Sequence, residues 1–179
     1  MSSYAVLTAI GPDRPGLVDE ISAFLADRNI NIEDSRMAVL GGEFAVILLA
    51  SGEPDFSDRL IRELAAIEKI TGLAVHLKPT LAPHERKVHQ SLPHRLTATS
   101  MDHPGIVHEV TRVLHKRNIN IESMETHLAH APVSGAPIFK MKCVINIPVE
   151  EKLSAVRKEL EKLGDRMDID IEIEAADSY

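Results

Sequence analysis

Two short polar motifs combine residue types that suit the binding of a small charged molecule. They are Asp-Arg-Pro-Gly at positions 13–16 and Asp-His-Pro-Gly at positions 102–105. An asparagine follows each aspartate by 18 residues, at Asn31 and at Asn120. A carboxylate accepts hydrogen bonds from an ammonium group, whereas an asparagine side chain both donates and accepts them. Each aspartate and its asparagine would therefore suit the two charged ends of a free α-amino acid.

Each motif precedes an amphipathic segment that predicts an α-helix, so the motif forms the loop at a helix N-terminus. The first backbone N–H groups of a helix have no partner within the helix and attract a carboxylate. Gly16 and Gly105 would let a ligand approach the backbone closely, because glycine has no side chain. A second interpretation remains open at this point: Asp13 and Asp102 cap the helices, and the asparagines serve the turns that follow.

The remaining reactive side chains give little support for catalysis. Cys143 lies within an apolar strand, where a thiol behaves as a small hydrophobic group. His108 and His115 share one face of a helix outside its apolar stripe, which predicts solvated side chains. The sequence also lacks a nucleophile elbow, a phosphate-binding glycine loop and a zinc-ligand spacing. We therefore predict a protein that is not an enzyme and that needs no cofactor or metal.

An internal repeat predicts the number of domains. Shifting the sequence by 89 residues aligns positions 7–33 with positions 96–122, and 15 of these 27 pairs are identical. A match of this extent indicates two copies of one structural unit. The segment between the copies has prolines near its ends and few apolar residues, which is typical of an exposed linker. The predicted boundaries are 1–79 for the first domain, 80–93 for the linker and 94–176 for the second domain.

Each copy shows the periodicity of a strand, a helix, two strands, a helix and a final strand. In the first copy, strands are predicted at 4–10, 30–40 and 43–50, and Gly41 and Gly42 form the hairpin turn between the last two. Apolar residues at helical spacing follow the first and the third of these strands. This β-α-β-β-α-β order predicts an α+β protein with two ferredoxin-like domains, each with a four-stranded antiparallel sheet and two helices on one face.

The third strand of the first copy is apolar on both faces of its predicted sheet. Its side chains alternate between the faces, with Phe44, Val46 and Leu48 on one and Ala45, Ile47 and Leu49 on the other. The helices can cover only one face, and soluble monomers rarely leave an apolar patch of several hundred Å² bare. In the second copy, Lys140, Lys142 and Asn146 make the equivalent face polar. We therefore expect the other half of the chain or, preferably, a second copy in a homodimer to cover the first sheet.

Composition and charge exclude several classes of protein. The 179 residues are 44% hydrophobic and 26% charged, as in folded globular proteins. With 20 basic and 27 acidic residues, the net charge of −7 disfavours binding to nucleic acid or to an anionic membrane. The chain has one cysteine and no apolar run of the 18–20 residues that a membrane-spanning helix needs. These features predict a cytoplasmic protein without direct contact to nucleic acid or membrane.

The two motifs also carry a family resemblance. An Asp-x-Pro-Gly loop after a strand, an amphipathic helix and the run Asn-Ile-Asn-Ile-Glu, within a β-α-β-β-α-β unit, resemble the ACT domain, a regulatory module that binds small molecules. The resemblance covers both copies. The run at positions 31–49, NIEDSRMAVLGGEFAVILL, is in addition similar to a family of glycine cleavage repressors that consist of two ACT domains. The second copy departs from the pattern, with His103 at the position of Arg14 and a longer hairpin.

The resemblance implies a site between paired domains. In ACT proteins, a ligand commonly contacts the loop before the first helix of one domain and the polar start of the second strand of its neighbour. Carried over by position, the implied ligand-binding residues are Gly11, Asp13, Gly16 and Asn31 in the first copy and Ser100, Asp102, Gly105 and Asn120 in the second.

The function that the resemblance implies is regulation. The expected protein senses an amino acid, with glycine as the first candidate, and controls transcription through a DNA-binding partner protein. One alternative is a regulatory subunit that controls a metabolic enzyme in trans. Another is a regulatory piece of a formyltetrahydrofolate deformylase, since ACT units precede its catalytic domain. No catalytic domain is expected here, because the sequence ends five residues after Glu174.

Overall fold

Both halves of the chain fold in the order that the sequence predicts: strand, helix, strand, strand, helix, strand. These elements are seen in a computed structural model that describes residues 3–85, 90–132 and 134–176. The two halves form separate units that divide within the predicted linker. Four residues of that linker, 86–89, lie outside the described residues. The α+β class and the two ferredoxin-like domains are confirmed.

The first unit contains strands β1 to β4 and helices α1 and α2. In chain order, its elements are β1 Ser3–Pro12, α1 Leu17–Ala26, β2 Asn31–Leu40, β3 Glu43–Gly52, α2 Phe56–Thr71 and β4 Ala74–Thr80. The strands form one antiparallel sheet in the order β2-β3-β1-β4, so β2 and β4 are its edges. Both helices contribute buried residues to one core with the sheet.

The second unit repeats this arrangement. In chain order, its elements are β5 Ser91–Met101, α3 Ile106–Lys116, β6 Asn120–His130, β7 Pro137–Pro148, α4 Leu153–Met167 and β8 Ile169–Ala175. The sheet order is β6-β7-β5-β8, and all pairs are antiparallel. Strand β5 begins before the predicted domain boundary, because Leu92 and Pro93 pair with Ile147 and Asn146 of β7. The last residues of the predicted linker therefore belong to this sheet.

Strand β1 is longer than the sequence predicts. The glycine and proline after Ile10 indicate a turn, but the structure pairs Gly11 with Phe44 and Pro12 with Glu43. The expectation of a turn at these two residues is wrong, because the full length of β3 offers pairing partners beyond Ile10. A proline is tolerated at this place, since the end of a strand loses only one backbone donor.

The faces of the two sheets differ as the side-chain alternation predicts. In β3, Phe44 and Leu48 are buried against the helices, whereas Ile47 on the opposite face is 49% exposed. In β7 of the second unit, Lys140 and Lys142 are exposed on the face without helices. The open face of the first sheet therefore presents apolar side chains, and that of the second presents charged ones.

Candidate functional site

Each Asp-x-Pro-Gly motif forms the loop between the first strand and the first helix of its unit, as predicted. Gly16 has a φ of +95° and directly precedes α1, and Gly105 has a φ of +100° and directly precedes α3. A side chain at either position would be strained, because residues with a Cβ atom rarely adopt such φ values. The glycines are therefore required by the shape of the loop.

Backbone hydrogen bonds hold both loops against a neighbouring strand connection. The N–H of Asp13 donates to the carbonyl oxygen of Gly42 at 2.9 Å, and the N–H of Asp102 donates to that of Pro137 at 3.0 Å. Gly42 lies in the hairpin turn before β3, and Pro137 is the first residue of β7. The two units thus position their loops in the same way, although the second hairpin is longer.

The capping interpretation of the two aspartates is wrong. The N-cap residues of α1 and α3 are Gly16 and Gly105, and no side-chain hydrogen bond caps either helix. Asp13 and Asp102 lie three residues before these caps and are exposed. Within the described residues, the first N–H groups of both helices thus have no side-chain partner, which is the arrangement that attracts an anion.

The first unit does not bring its aspartate and its asparagine together. Asn31 at the start of β2 pairs with Ser51, and Ser51 pairs with Tyr4 at the start of β1. Asp13 follows the other end of β1, beyond Gly11. Tyr4 and Asp13 are nine residues apart, which corresponds to about 30 Å along the strand. The hypothesis that Asp13 and Asn31 of the same copy hold one amino acid is therefore wrong.

The second unit separates its polar residues in the same way. Asn120 pairs with Asn146, which pairs with Pro93 near the start of β5. Ser100 and Asp102 lie at the opposite end of that strand. A site that combines the loop of one domain with the asparagine of a neighbouring domain, as the family resemblance implies, stays a prediction.

The asparagine of the first unit belongs to a polar cluster at the start of β2. The Nδ2 atom of Asn31 donates to Oε1 of Glu33 at 3.0 Å, and the Ser51 hydroxyl donates to the same oxygen. The hydrogen bonds from Ser51 and from Asn31 lower the pKa of Glu33. In the second unit, Asn146 donates to Glu122, the counterpart of Glu33, at 3.1 Å. The sequence analysis did not single out the glutamate that ends the repeated Asn-Ile-Asn-Ile-Glu run. Its presence in both copies is the signal that could have identified it.

Ser100 distinguishes the second loop from the first. The residue is only 8% exposed, and its Oγ atom has no hydrogen-bond partner within the described residues. A buried polar group without a partner costs about 1–3 kcal/mol. The first unit has Gly11 at this position, where a Cβ atom would lie 3.0 Å from Cδ2 of Leu73. The second unit therefore offers a buried hydroxyl at a position where a side chain in the first unit would press against Leu73.

Arg14 ties the first loop to both helices of its unit. Its Nη1 and Nη2 atoms donate to the two carboxylate oxygens of Glu20 at 2.8 and 2.6 Å. Nη2 also donates to the carbonyl oxygens of Ile70 and Thr71 at the end of α2, at 3.2 and 3.1 Å. The hydrogen bond to Glu20 raises the pKa of Arg14 and lowers that of Glu20. This arginine thus has a structural role that the motif alone did not indicate.

The second unit places the equivalent positive charge on a helix. Glu109 is the counterpart of Glu20, and its Oε2 atom accepts hydrogen bonds from Arg112 and, at 2.7 Å, from Arg166 of α4. His103 replaces the loop arginine, and its Nδ1 atom lies 3.2 Å from the carbonyl oxygen of Pro104. The first-turn glutamate is therefore neutralised without an arginine in the loop.

Arg14→Ala is expected to destabilise the first unit in a pH-dependent way. Because Arg14 lowers the pKa of Glu20, this pair stabilises the fold above the ordinary carboxyl range, about pH 4–5. Its contribution is lost as the pH falls and Glu20 takes up a proton. We expect a lower thermal midpoint than for the unchanged protein at pH 7 and a smaller difference near pH 3, where only the hydrogen bonds of Arg14 to Ile70 and Thr71 remain to be lost. Calorimetry measures both differences. His103→Ala is the matched control, and an equal effect of both substitutions would contradict the assigned role.

Two further residues of the repeated run have structural roles. Asn29 and Asn118 both have a φ of +54° and end the turn after α1 and α3. The preceding arginines, Arg28 and Arg117, place their Nε atoms 2.6 and 2.7 Å from a glutamate of the second helix of the same unit. The asparagines that serve the turns are therefore the first ones of each Asn-Ile-Asn run, not Asn31 and Asn120.

Among the described residues, the other reactive groups do not form a second centre. Cys143 is buried in the core of the second unit, and burial raises the pKa of its thiol to about 11. In the part of the chain that the structure describes, no three histidine, cysteine or acidic side chains are grouped as metal ligands. No described helix is both long and apolar enough to span a membrane.

Relatives share sequence with parts of the chain. Over 49 residues it is 53% identical to the glycine cleavage system transcriptional repressor of Escherichia coli (strain K12), a match that covers 27% of this chain and 26% of that protein. Over 60 residues it is 48% identical to a UPF0237 protein of Methanopyrus kandleri, covering 33% of this chain and 67% of that one. The chain thus matches about a quarter of the length of the repressor.

Two solved structures match nearly the whole chain. The crystal structure of an unknown protein from Galdieria sulphuraria has a TM-score of 0.85 and 29% identity, covering 99% of this chain and 100% of that chain. A candidate glycine cleavage system transcriptional repressor has a TM-score of 0.71 and 24% identity, with 99% of both chains covered. The second likeness shows the fold alone.

Family models match both halves of the chain. A model described as the ACT domain matches residues 3–78, and another model of the same description matches residues 94–165. These ranges contain both Asp-x-Pro-Gly loops and both polar strand starts. The chain therefore belongs to the ACT domain family and contains two ACT domains in tandem.

Proposed function

We propose that this protein is a non-enzymatic regulator that senses a free amino acid, with glycine as the first candidate. The buried hydroxyl of Ser100 carries the proposal, because it has no partner within the described residues and lies two residues before Asp102. The uncapped first turn of α3 follows directly after Gly105. These N–H groups suit the carboxylate of an amino acid, and Asp102 suits its ammonium group.

The second unit is the stronger candidate for binding. Its loop has a buried hydroxyl at Ser100, and the arginines beside Glu109 come from α3 and α4 instead of the loop. In the first unit, Gly11 offers no polar side chain, and Arg14 occupies the loop with bonds to both helices. In this proposal, the asparagine that completes the site comes from a neighbouring ACT domain.

The amino-acid signal passes to a DNA-binding partner protein in this proposal. The similarity to the Escherichia coli glycine cleavage repressor supports transcription as the regulated process. The net charge of −7 disfavours direct contact of this chain with DNA. The protein acts in the cytoplasm as a homodimer, and the ligand must bind one arrangement of domains or partners more tightly than another, because equal affinity shifts nothing.

Calorimetric titration of the full chain tests the sensing function. One of the twenty amino acids should bind with a dissociation constant between micromolar and millimolar values, or about −4 to −8 kcal/mol. Ser100→Ala should weaken that binding about tenfold, because the hydrogen bond from the hydroxyl to the ligand is lost. Ser22→Ala is the matched control, since the Ser22 hydroxyl donates to the carbonyl oxygen of Asp19 on α1. The Ser22→Ala variant should bind the amino acid with the same affinity as the unchanged protein.

Two outcomes would contradict the sensing proposal in different ways. If no amino acid at several millimolar produces heat or a shift in melting temperature, the protein is not an amino-acid sensor. If an amino acid binds equally well to the Ser100→Ala variant, sensing stands but the site lies elsewhere.

A pull-down from a lysate of the source organism tests the partner. Capture of a DNA-binding activator that changes with added amino acid would support the transcriptional role. Capture of a metabolic enzyme would support the alternative of a regulatory subunit in trans. A specific shift of promoter DNA by the purified protein alone would contradict action through a partner.

A further inference from the structure

We propose that the face of the first sheet without helices is the contact surface of a homodimer whose two-fold axis runs parallel to the strands. This inference rests on the homodimer of the proposed function and specifies its surface and symmetry. We call this surface the open face. It consists of Val6, Thr8, Ile10, Asp34, Arg36, Ala38, Ala45, Ile47, Leu49, Ala74, His76 and Lys78.

The centre of the open face is apolar and accessible. Ile10 of β1 is 56% exposed, and Ile47 of β3 is 49% exposed. A groove of about 480 Å³ crosses the same face beside Val6, Leu49 and Leu81. Exposed β-branched side chains on the two central strands are unusual for a surface that remains in water, whereas they are typical of the core of an interface.

The two edges of the open face differ in charge. Strand β2 carries Asp34 and Arg36, which form an exposed ion pair at 2.6 Å. Strand β4 carries His76 and Lys78 and no acidic side chain. The register places Asp34 opposite Leu49, Leu49 opposite Val6 and Val6 opposite Lys78. One row across the sheet therefore begins with an acid and ends with a base.

A two-fold axis parallel to the strands makes this row complementary to itself. Rotation about that axis lays β2 of one copy over β4 of the other and β3 over β1. Each row then faces the same row of the other copy, because the rotation does not change positions along the strands. Asp34 then faces the partner's Lys78, and in the next row Arg36 faces the partner's His76. Each pair occurs twice in the dimer. The apolar residues of the row meet in the same way, since Leu49 lies against the partner's Val6. An isologous interface requires this kind of self-complementarity.

An axis perpendicular to the strands gives a poorer match. It would lay β4 over β4 and β2 over β2, so that Asp34 could not meet Lys78 of the partner subunit. The opposite charges of Asp34 and Lys78 therefore favour the axis parallel to the strands.

The size of the open face limits the strength of the dimer. Four strands about 4.8 Å apart and five residues of about 3.4 Å each give it a plan of roughly 330 Å². This area is below the roughly 800 Å² per partner of standard interfaces, so we expect a weak dimer. A second copy is the occupant that we infer, because the face itself supplies both the apolar centre and the opposite charges that it needs.

Sedimentation equilibrium of the full chain tests the surface. The unchanged protein should be a dimer, and Ile47→Lys should raise its dissociation constant at least about a hundredfold, because a lysine would be buried in the apolar centre. The control is Ile61→Lys, since Ile61 is 43% exposed on α2, away from the open face. Both variants should retain the circular dichroism spectrum of the unchanged protein.

Charge reversal tests the symmetry. Asp34→Lys and Lys78→Asp should each weaken the dimer about tenfold or more, because each places like charges together twice. The double variant should recover the affinity to within about threefold.

Each contrary outcome overturns a stated part of the inference. A monomeric unchanged protein would overturn the dimer itself, without touching amino-acid sensing. A dimer that Ile47→Lys leaves intact would show that another surface is used. A double variant as weak as its single parents would overturn the axis parallel to the strands.

Discussion

Phe44→Ala is expected to lower the free energy of unfolding of the first unit by about 3–5 kcal/mol. Phe44 is 2% exposed and is one of the largest side chains in the core between the first sheet and its helices. Truncation removes its apolar contacts and leaves a cavity that the two-layer core can close only in part. A loss of this size is a large fraction of the stability of an ordinary small domain.

Hydrogen exchange of the full chain, followed by mass spectrometry, measures this effect within each unit. Peptides of β1 and β3 should lose protection in the Phe44→Ala variant, whereas peptides of β5 and β7 should not change. The control is Met37→Ala on the neighbouring strand, because Met37 is 55% exposed and should alter the stability by no more than about 0.5 kcal/mol. A loss below about 1 kcal/mol for Phe44→Ala would contradict the described core.

Gly164→Ala should destabilise the second unit by about 1–3 kcal/mol. A Cβ atom at position 164 would lie 2.5 Å from the carbonyl oxygen of Ile169. That oxygen belongs to the backbone of β8, so it cannot turn away as a flexible side chain would. Alanine favours a helix by about 1 kcal/mol over glycine, but α4 has to move away from β8 to accept it. The clash is therefore expected to outweigh the gain in helix propensity.

Chemical denaturation with exchange read out on the β5 and β8 peptides measures the Gly164→Ala effect. Glu161→Ala is the control, because Glu161 is exposed on the same helix and its removal should change the stability by about 0.5 kcal/mol or less. A Gly164→Ala variant as stable as the unchanged protein would show that α4 and β8 are less closely packed than described.

The elements of this fold were predictable because each depends on residues that are near neighbours in sequence. Alternation in β3 separates the buried Phe44 from the exposed Ile47, and the glycine pair Gly41 and Gly42 has the positive φ values of 62° and 86° that a tight hairpin requires. The continuation of β1 through Pro12 was not predictable in this way. It depends on how far β3, more than thirty residues later in the sequence, extends beside it.

The candidate site was predictable only in part. The distance of 18 residues between Asp13 and Asn31 suggested a common site, but a strand, a helix and a parallel strand return the chain to the opposite end of the sheet. The predicted order of strands and helices already implied that Asp13 and Asn31 lie at opposite ends of the sheet, although their spacing in the sequence did not. The bonds of Arg14 to α2 and the unpartnered hydroxyl of Ser100 depend on side-chain packing between elements far apart in sequence, which residue patterns do not record.

The buried thiol of Cys143 can report when the second sheet opens. A thiol with a pKa of about 11 is almost wholly protonated at neutral pH, and only the thiolate reacts with alkylating reagents. When β7 separates from its neighbours, the pKa returns towards about 8.5 and the sulfur becomes accessible. Because the chain has one cysteine, the rate of its alkylation measures how often this sheet opens in the native protein. If an amino acid binds and stabilises this sheet, its addition should slow the alkylation of Cys143.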